Sequence, residues 1–277
     1  MNPDEQLSKI RERIDAIDSQ LLELISERAR CAQEVAQVKL DASQSDEAPP
    51  VFYRPEREAQ VLRAIQERNP GPLASEHIAS VFRELMSSCL ALEQPLSVAF
   101  LGPEGTYSQA AALKHFGQSA LPQGQASIHK VFRQVEERLC DCGVVPVENS
   151  TEGMVGQTLD CFLESPLQIT GEIELPVVHH LLAGQGAEQS DIQLILGHEQ
   201  ALGQCRQWLD SHLPDVPREA VASNGEAARR AGIEAGVAAI AGELAAGLHQ
   251  LDTLASAIQD SSTNITRFLV LGRESVP

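Results

Sequence analysis

The sequence predicts an all-α module over residues 1–95 followed by a two-lobed α/β domain over residues 96–277. Three observations carry this. Leu7, Ile10, Ile14, Ile17, Leu21, Leu24, Ile25, Val35 and Val38 recur at helical period, with no glycine or proline between Leu7 and Leu40. An apolar run, a loop of small or polar residues and then a helical pattern occur twice, at 98–116 and at 143–163. From Leu194 onward, short apolar runs alternate with helical segments, which implies mostly parallel sheets with helices on both faces.

The totals exclude several classes. A length of 277 residues suits about two domains. The net charge of -18 argues against nucleic acid or an anionic membrane as partner. No apolar run is long enough to span a bilayer. The start, Met1 to Gln6, lacks the basic and apolar segments of an export signal, so a cytoplasmic location is expected. The six cysteines (31, 89, 140, 142, 161 and 205) show no CxxC pair, and Cys140-Asp141-Cys142 is too tight for a metal finger. They read as reduced thiols, mostly core fillers, and no metal or cofactor is expected.

A helix from Leu7 to Leu40 is about 50 Å long. Such a rod cannot bury its apolar stripe alone; it needs other helices, best supplied by a second copy of the chain. Arg28 and Lys39, eleven residues apart, share a face with Val35, whereas Arg11 points elsewhere. Two readings fit these cations: solvated surface charges, or a dicarboxylate clamp with the third cation aimed at a neighbouring molecule. Asp41 to Val51 reads as a loop. Pro55-Glu56 opens a second helix that runs to about Arg68, and Asn69-Pro70-Gly71-Pro72 breaks it. A third helix runs from about Ser75, a candidate cap, to Glu93.

Beyond the junction at residues 95–97, Val98–Leu101 is a strand, Gly102–Ser108 a glycine-rich loop and Gln109–Phe116 a helix. Gly143–Val147 is a buried strand that ends in Glu148-Asn149-Ser150-Thr151-Glu152-Gly153, after which Val155, Leu159 and Phe162 resume helical spacing. This polar cluster is either a turn with Ser150 or Thr151 capping the helix, or a small-anion site at the end of a sheet. Gln168–Leu175 and Val177–Leu182 read as extended segments that carry the chain into a second lobe. Strands follow at Leu194–Leu196, Ala220–Ala222, Val237–Ile240 and Phe268–Leu271, with Leu254–Gln259 running back. Helices are expected from His198 through Trp208 and over Gly225–Ala231, the latter capped by Ser223-Asn224. Lobe 1 is thus about 97–175 with 266–277, and lobe 2 about 176–265. His179 and His180, adjacent on a strand, face opposite sides and are not expected to share a metal ion.

The N-terminal motifs Leu7 to Asp18, Glu27-Arg28, Val38-Lys39-Leu40 and Tyr53 to Glu58 resemble the all-helical chorismate mutase domain, in the version fused to prephenate dehydratase. The resemblance implies an intertwined homodimer of three-helix chains and the unimolecular rearrangement of chorismate to prephenate. It implies that Arg28 and Arg11 of the partner subunit hold the carboxylates, Lys39 donates to the ether oxygen, and Glu56 holds the ring hydroxyl. Pro55 stands where an arginine is expected before that glutamate, with Arg54 or Arg57 as substitutes. Glu93 stands where some members use glutamine, and Cys89 either lines the site or packs in the core.

The remaining residues resemble prephenate dehydratases through six motifs in order. These are Gly102 to Ser108, Val145 to Gly153, His179-His180, Gln200 to Cys205, Ser223 to Ala228, and Asn264 to Phe268. The resemblance implies a fold like type II periplasmic binding proteins and decarboxylative loss of the ring hydroxyl, giving phenylpyruvate. It assigns Thr266 as donor at the departing hydroxyl and Arg267 as cation for a carboxylate. Thr106, Ser108, Asn149, Ser150, Thr151, Ser223 and Asn224 would orient or hold anions. Glu148 either joins the site or pairs with Arg267. Family members with both activities continue into a regulatory ACT domain that binds phenylalanine, and these residues are expected to leave no room for one. Two other readings stay open: only one active site, or a non-catalytic small-anion binding module on the same fold.

Overall fold

The computed structural model describes residues 2–43 and 52–273. Its contacts divide the chain into two compact units: Met1–Leu96 with Phe116–Ala120, and Ser97–His115 with Leu121–Pro277.

The first unit holds α1 (Pro3–Ser43), α2 (Pro55–Glu67) and α3 (Ser75–Glu93). α1 outruns its apolar stripe at both ends. Pro3 suits a first turn, where its missing N–H costs nothing, and Asp4 and Glu5 sit at the positive end of the helix dipole. Asp41–Ser43 are therefore helical, and the rest of the expected loop, 44–51, lies outside the described residues. Ser75 is not a cap. The N-cap is Ala74, with no side-chain bond, and Ser75 Oγ instead accepts from Asn69 Nδ2 at 3.3 Å. α1 and α2 both contact α3. Along the N-terminal half of α1, Leu7, Ile10, Ile14, Ile17 and Leu21 stay about half exposed, so no described residue covers that stripe.

In the second unit the chain runs β1 (Ser97–Leu101), α4 (Tyr107–Phe116, whose last residue groups with the helical unit), β2 (Leu121–Gln125), α5 (Ile128–Glu136), β3 (Cys142–Asn149), β4 (Gly153–Met154), α6 (Gly156–Glu164) and β5 (Gln168–Pro176). It then forms β6 (His180–Ala183), β7 (Leu194–Gly197), α7 (Glu199–Gln204), α8 (Arg206–His212), β8 (Arg218–Ala220), α9 (Asn224–Ala231), β9 (Val237–Ala241), α10 (Glu243–His249), β10 (Asp252–Ala255) and β11 (Ile265–Gly272).

Two sheets result, ordered β2-β1-β3-β11-β5 with β4 on β3, and β10-β6-β9-β7-β8. They are mixed, not mostly parallel. β1 pairs parallel with β2 and β3, and β7 with β8 and β9, but β11, β4, β6 and β10 all run antiparallel to their neighbours. The reason is topological. β11 returns from the second sheet and enters between β3 and β5 from the far end, so it runs against both.

Strand alternation builds the cores. In the second sheet Leu181, Ile195, Ala238 and Ile240 face one apolar cluster, while Leu182, Leu196, Ala239 and Ala241 face another. β2, α5 and α10 were not foreseen. β2 reads Leu-Pro-Gln-Gly-Gln and carries no strand signal. α5 does carry a helix signal: Ser127 caps it by accepting from Lys130 N, and Ile128, Val131, Phe132 and Val135 are buried at i, i+3, i+4 and i+7. The expected helix through Trp208 is two, broken at Cys205.

Close backbone approach joins the loops of the two sheets. A Cβ on Gly225, in the first turn of α9, would lie 2.2 Å from the carbonyl oxygen of Glu104 in the glycine-rich loop. Backbone cannot yield as a flexible side chain does. Gly225→Ala is expected to destabilise the second unit by about 1–3 kcal/mol, read as a fall of several degrees in its thermal midpoint; an unchanged midpoint would count against this contact.

Candidate active sites

A cavity of about 710 Å³ lies among the residues of the helical unit. α1 supplies Arg28, Cys31, Ala32, Val35 and Lys39, spaced three and four apart. α2 with its cap supplies Arg54, Arg57, Glu58 and Val61, and α3 supplies Arg83, Met86, Ser87, Cys89, Leu90 and Glu93. Each set is one helical face. Lys39 is tethered: its Nζ donates to Phe52 O at 3.3 Å, lies 5.1 Å over the Phe52 ring, and approaches Glu93 Oε2 at 3.5 Å. Glu93 Oε2 is buried and makes no hydrogen bond, so its contact with Lys39 is ionic only.

The carboxylate that α2 presents to this cavity is Glu58, not Glu56. Residues 54, 57, 58 and 61 fall on one face, and Glu56 lies about 200° around the helix from Arg54. Arg57 directly precedes Glu58, so Pro55 takes nothing from the cavity. Burial pushes the Glu58 carboxyl up, opposed by Arg83, whose Nε is 4.0 Å away, and by a hydrogen bond with Tyr53. Arg11 is exposed and does not line the cavity of its own chain.

The second cavity, about 540 Å³, is lined by residues of both sheets' loops. Thr106, Tyr107 and Ser108 come from the start of α4, Asn149 from the end of β3, Ser223 and Asn224 from the start of α9, and Asn264, Thr266 and Phe268 from the β11 region. Ser223 is the N-cap of α9 and accepts from Glu226 N, while Asn224 Oδ1 accepts from His198 N at 2.9 Å. Thr106 Oγ1 is engaged by Leu101 O and Pro103 O.

The register of β11 sorts the remaining residues. Thr266 pairs with Asn149 and Arg267 with Glu148 across the β3–β11 ladder. Opposed residues share a face and adjacent ones do not, so Thr266 and Asn149 face the cavity while Arg267 and Glu148 face away. Arg267 binds Glu148 Oε2 at 2.6 Å and Glu172 Oε1 at 2.7 Å, which holds the Glu172 carboxyl below its usual range. Neither Arg267 nor Glu148 lines the cavity, so the pairing reading of both is the one this geometry shows. Ser150 and Thr151 do not line it either and do not cap α6, whose N-cap is Val155. Ser150 Oγ bridges Thr263 O and Ile265 N, and the Thr151 N–H donates to Asn149 Oδ1.

Several lining residues carried no assigned role: Tyr107, Gln200, Gln204, Asn264 and His179. His179 is 1% exposed, with Nδ1 2.9 Å from Tyr107 Oη and Nε2 2.8 Å from Gln204 Oε1. Burial pulls its imidazole below the ordinary value of 6.5. Among the described residues, no group of three or more His, Cys, Asp or Glu is placed to hold a metal ion, and no lysine or arginine lines this cavity.

Residues 98–276 match the prephenate dehydratase family model, and residues 10–94 match chorismate mutase type II. A curated relative from Pseudomonas aeruginosa, a bifunctional chorismate mutase/prephenate dehydratase, is 56% identical over 277 residues, covering 100% of this chain and 76% of the relative. The chain belongs to the bifunctional chorismate mutase/prephenate dehydratase family. A family member from Aquifex aeolicus is 39% identical over 276 residues, covering 98% of this chain and 74% of the relative, so the chain spans about three quarters of their length. Among solved structures, a prephenate dehydratase from Arthrobacter aurescens in complex with L-Phe aligns with TM-score 0.61 at 33% identity, over 65% of this chain and 61% of that one. The Staphylococcus aureus prephenate dehydratase aligns with TM-score 0.55 at 27% identity, over 65% and 68%. The prephenate dehydratase match at residues 98–276 falls on the α/β unit.

The state of His179 has a consequence for stability. Burial holds the imidazole of the folded protein below the ordinary value of 6.5, near which the unfolded chain takes up a proton. This group's contribution is therefore full above about pH 6.5 and is lost as pH falls below it. His179→Gln is expected to flatten the decline of unfolding free energy between pH 7.5 and 5.5 in urea titrations; equal slopes in the two proteins would refute it.

Proposed function

We propose that the chain converts chorismate to prephenate in the helical unit and prephenate to phenylpyruvate in the α/β unit, two successive steps of phenylalanine biosynthesis. The observation that carries this is the pair of cavities in one chain, one rich in cations and the other neutral around Thr266.

In the first, the rearrangement needs no acid, base or nucleophile. Rate comes from holding the ring and side chain in the reactive shape and from meeting charge on the ether oxygen. Arg28 and Arg11 of the partner subunit hold the two carboxylates, with Arg54 and Arg57 at the rim. Lys39 donates to the ether oxygen, Glu58 takes the ring-hydroxyl role first given to Glu56, and Cys89 packs against the substrate. Glu93, 3.5 Å from the Lys39 ammonium, completes the polar set around the ether oxygen. The uncovered stripe on α1 supports a homodimer through these helices.

In the second, the substrate loses carbon dioxide and its ring hydroxyl. Hydroxide is a poor leaving group, so a donor placed at that oxygen lowers the barrier most. Thr266 is that donor. The carboxylates are met by neutral groups: Ser108 and the first-turn N–H groups of α4, and Ser223, Asn224 and the first-turn N–H groups of α9. Thr106, Ser150 and Thr151 shape the loops that hold them. No helix of the described residues is long and apolar enough to cross a membrane, and we place the enzyme in the cytoplasm.

Purified protein given chorismate at neutral pH is expected to yield phenylpyruvate, and Thr266→Ala to stop the reaction at prephenate with dehydratase kcat down about 100-fold. Unchanged chorismate, with prephenate also untouched, would sink both assignments. Within the mutase, Glu58→Gln is expected to lower kcat/KM at least 10-fold while Glu56→Gln changes it less than 3-fold. Glu93→Gln, which puts an amide donor where the carboxylate stands, is expected to keep mutase kcat/KM within about 10-fold of wild type. A larger loss would show that Lys39 needs the Glu93 carboxylate beside it.

A further inference from the structure

Thr266 stands at one end of a line of polar side chains that runs through Asn149, Asn264, Gln204 and His179 to Tyr107. Its distances, together with the number of protons each group owns, fix which way each bond between Thr266 and His179 points.

Asn149 decides the direction. Its Oδ1 accepts from the backbone N–H groups of Thr151 at 2.9 Å and Glu152 at 3.1 Å. Turning the amide over would set its NH2 against two donors, so Nδ2 must face the other way. There it donates one proton to Thr266 Oγ1 and one to Asn264 Oδ1, both at 2.8 Å. Asn264 is then an acceptor through Oδ1 and a donor through Nδ2, which reaches Gln204 Oε1 at 3.0 Å. With Gln204 Oε1 accepting, His179 Nε2, 2.8 Å from it, must carry a hydrogen. A buried, neutral His179 has only one ring proton, so Nδ1 is bare. Nδ1 faces the Tyr107 hydroxyl at 2.9 Å, and that hydroxyl also lies 2.7 Å from Val178 O, giving its single proton two acceptors.

We propose that this line is a one-way hydrogen-bond relay, locked by the backbone of residues 151–152, which makes Thr266 Oγ1 an acceptor from Asn149 and so leaves the only Thr266 proton for an oxygen in the cavity. Asn264 and His179, further along the line, are positioning residues: they keep Gln204 and Asn149 from turning over. The same logic leaves the Gln204 amide nitrogen, which bonds no described residue, as a second donor on the cavity wall. That the cavity oxygen is a departing ring hydroxyl rests on the dehydratase reading; the direction of the relay does not.

The test reads the proton on His179. In the full chain with 15N-labelled histidine, two-bond proton–nitrogen correlation at pH 7.5 is expected to show His179, assigned by its loss in His179→Gln, protonated on Nε2 and bare on Nδ1. A proton on Nδ1, or an imidazolium, overturns the relay. Asn149→Asp supplies the coupling test. Aspartate only accepts at this pH, so the Thr266 proton turns to the new carboxylate, Asn264 and Gln204 turn over, and the His179 proton moves to Nδ1, with Tyr107 donating to Val178 O. The expected result is a switched His179 tautomer and dehydratase kcat down about 100-fold. An unswitched tautomer in a variant that still unfolds cooperatively overturns the coupling, and the wild-type spectrum stands as a test even if that variant does not fold. The expected tautomer and switch in a protein that leaves prephenate unchanged would support the relay and refute the dehydratase reading instead.

Discussion

The antiparallel insertion of β11 between β3 and β5 is the constraint on which the α/β unit depends. The chain leaves the first sheet at Pro176, completes a second sheet, and must return along a path already flanked on both sides. Once paired, its register is not free. Phe268 to Leu271 are all buried, with Leu269 and Leu271 in one apolar cluster, so a slip of one residue would swap side chains between two differently packed faces. The same register that buries the apolar residues points Thr266 and Asn149 at the cavity and sends Arg267 out to Glu148 and Glu172. Site and core are thus set by one pairing.

The two cavities have opposite electrostatic designs. In the helical unit four arginines and a lysine line one space, while in the α/β unit the lining is neutral apart from Glu152 and titratable histidines. A chain of net charge -18 repels anions at long range, so each site must work locally. The first does so with formal charge. The second presents oriented dipoles instead, at the starts of α4 and α9 and in the amide groups of Asn149, Gln204 and Asn264. Oriented neutral donors need no counter-ion and do not reorganise when charge moves, which suits a step that releases hydroxide.

Much of this was legible in the sequence, and the misses have physical causes. The three helices followed from period and proline punctuation. The strands of the second unit followed from short apolar runs, and of the polar cluster after Val147 the residues Asn149, Glu152 and Gly153 line the cavity. The resemblance pointed to Glu56, but helical geometry places 54, 57, 58 and 61 together, a face that the periodicity already contained. Arg267 was chosen by charge, although the alternation that separates His179 from His180 also separates it from Thr266. β2 left no trace because it is an edge strand, paired with β1 alone and mostly exposed, so it takes its backbone partners without apolar side chains of its own. Asn264, Gln204 and Tyr107 were present in the motifs but carried no role, because an amide or a phenol shows its function only through its partners.

The sequence by itself determined the local structure: the long amphipathic helix, the helix starts at Pro55 and Ser223, the buried strands, and two clusters of chemically suited residues. It could do so because period, caps and turns act over a few residues. Only the tertiary structure decided which residues of each cluster face a cavity, that Arg267 is spent in an ion pair, and that Asn149, 117 residues from Thr266 in the chain, holds its hydroxyl. Those outcomes depend on strand register and on which way each amide is turned, and both are fixed by contacts between segments far apart in sequence.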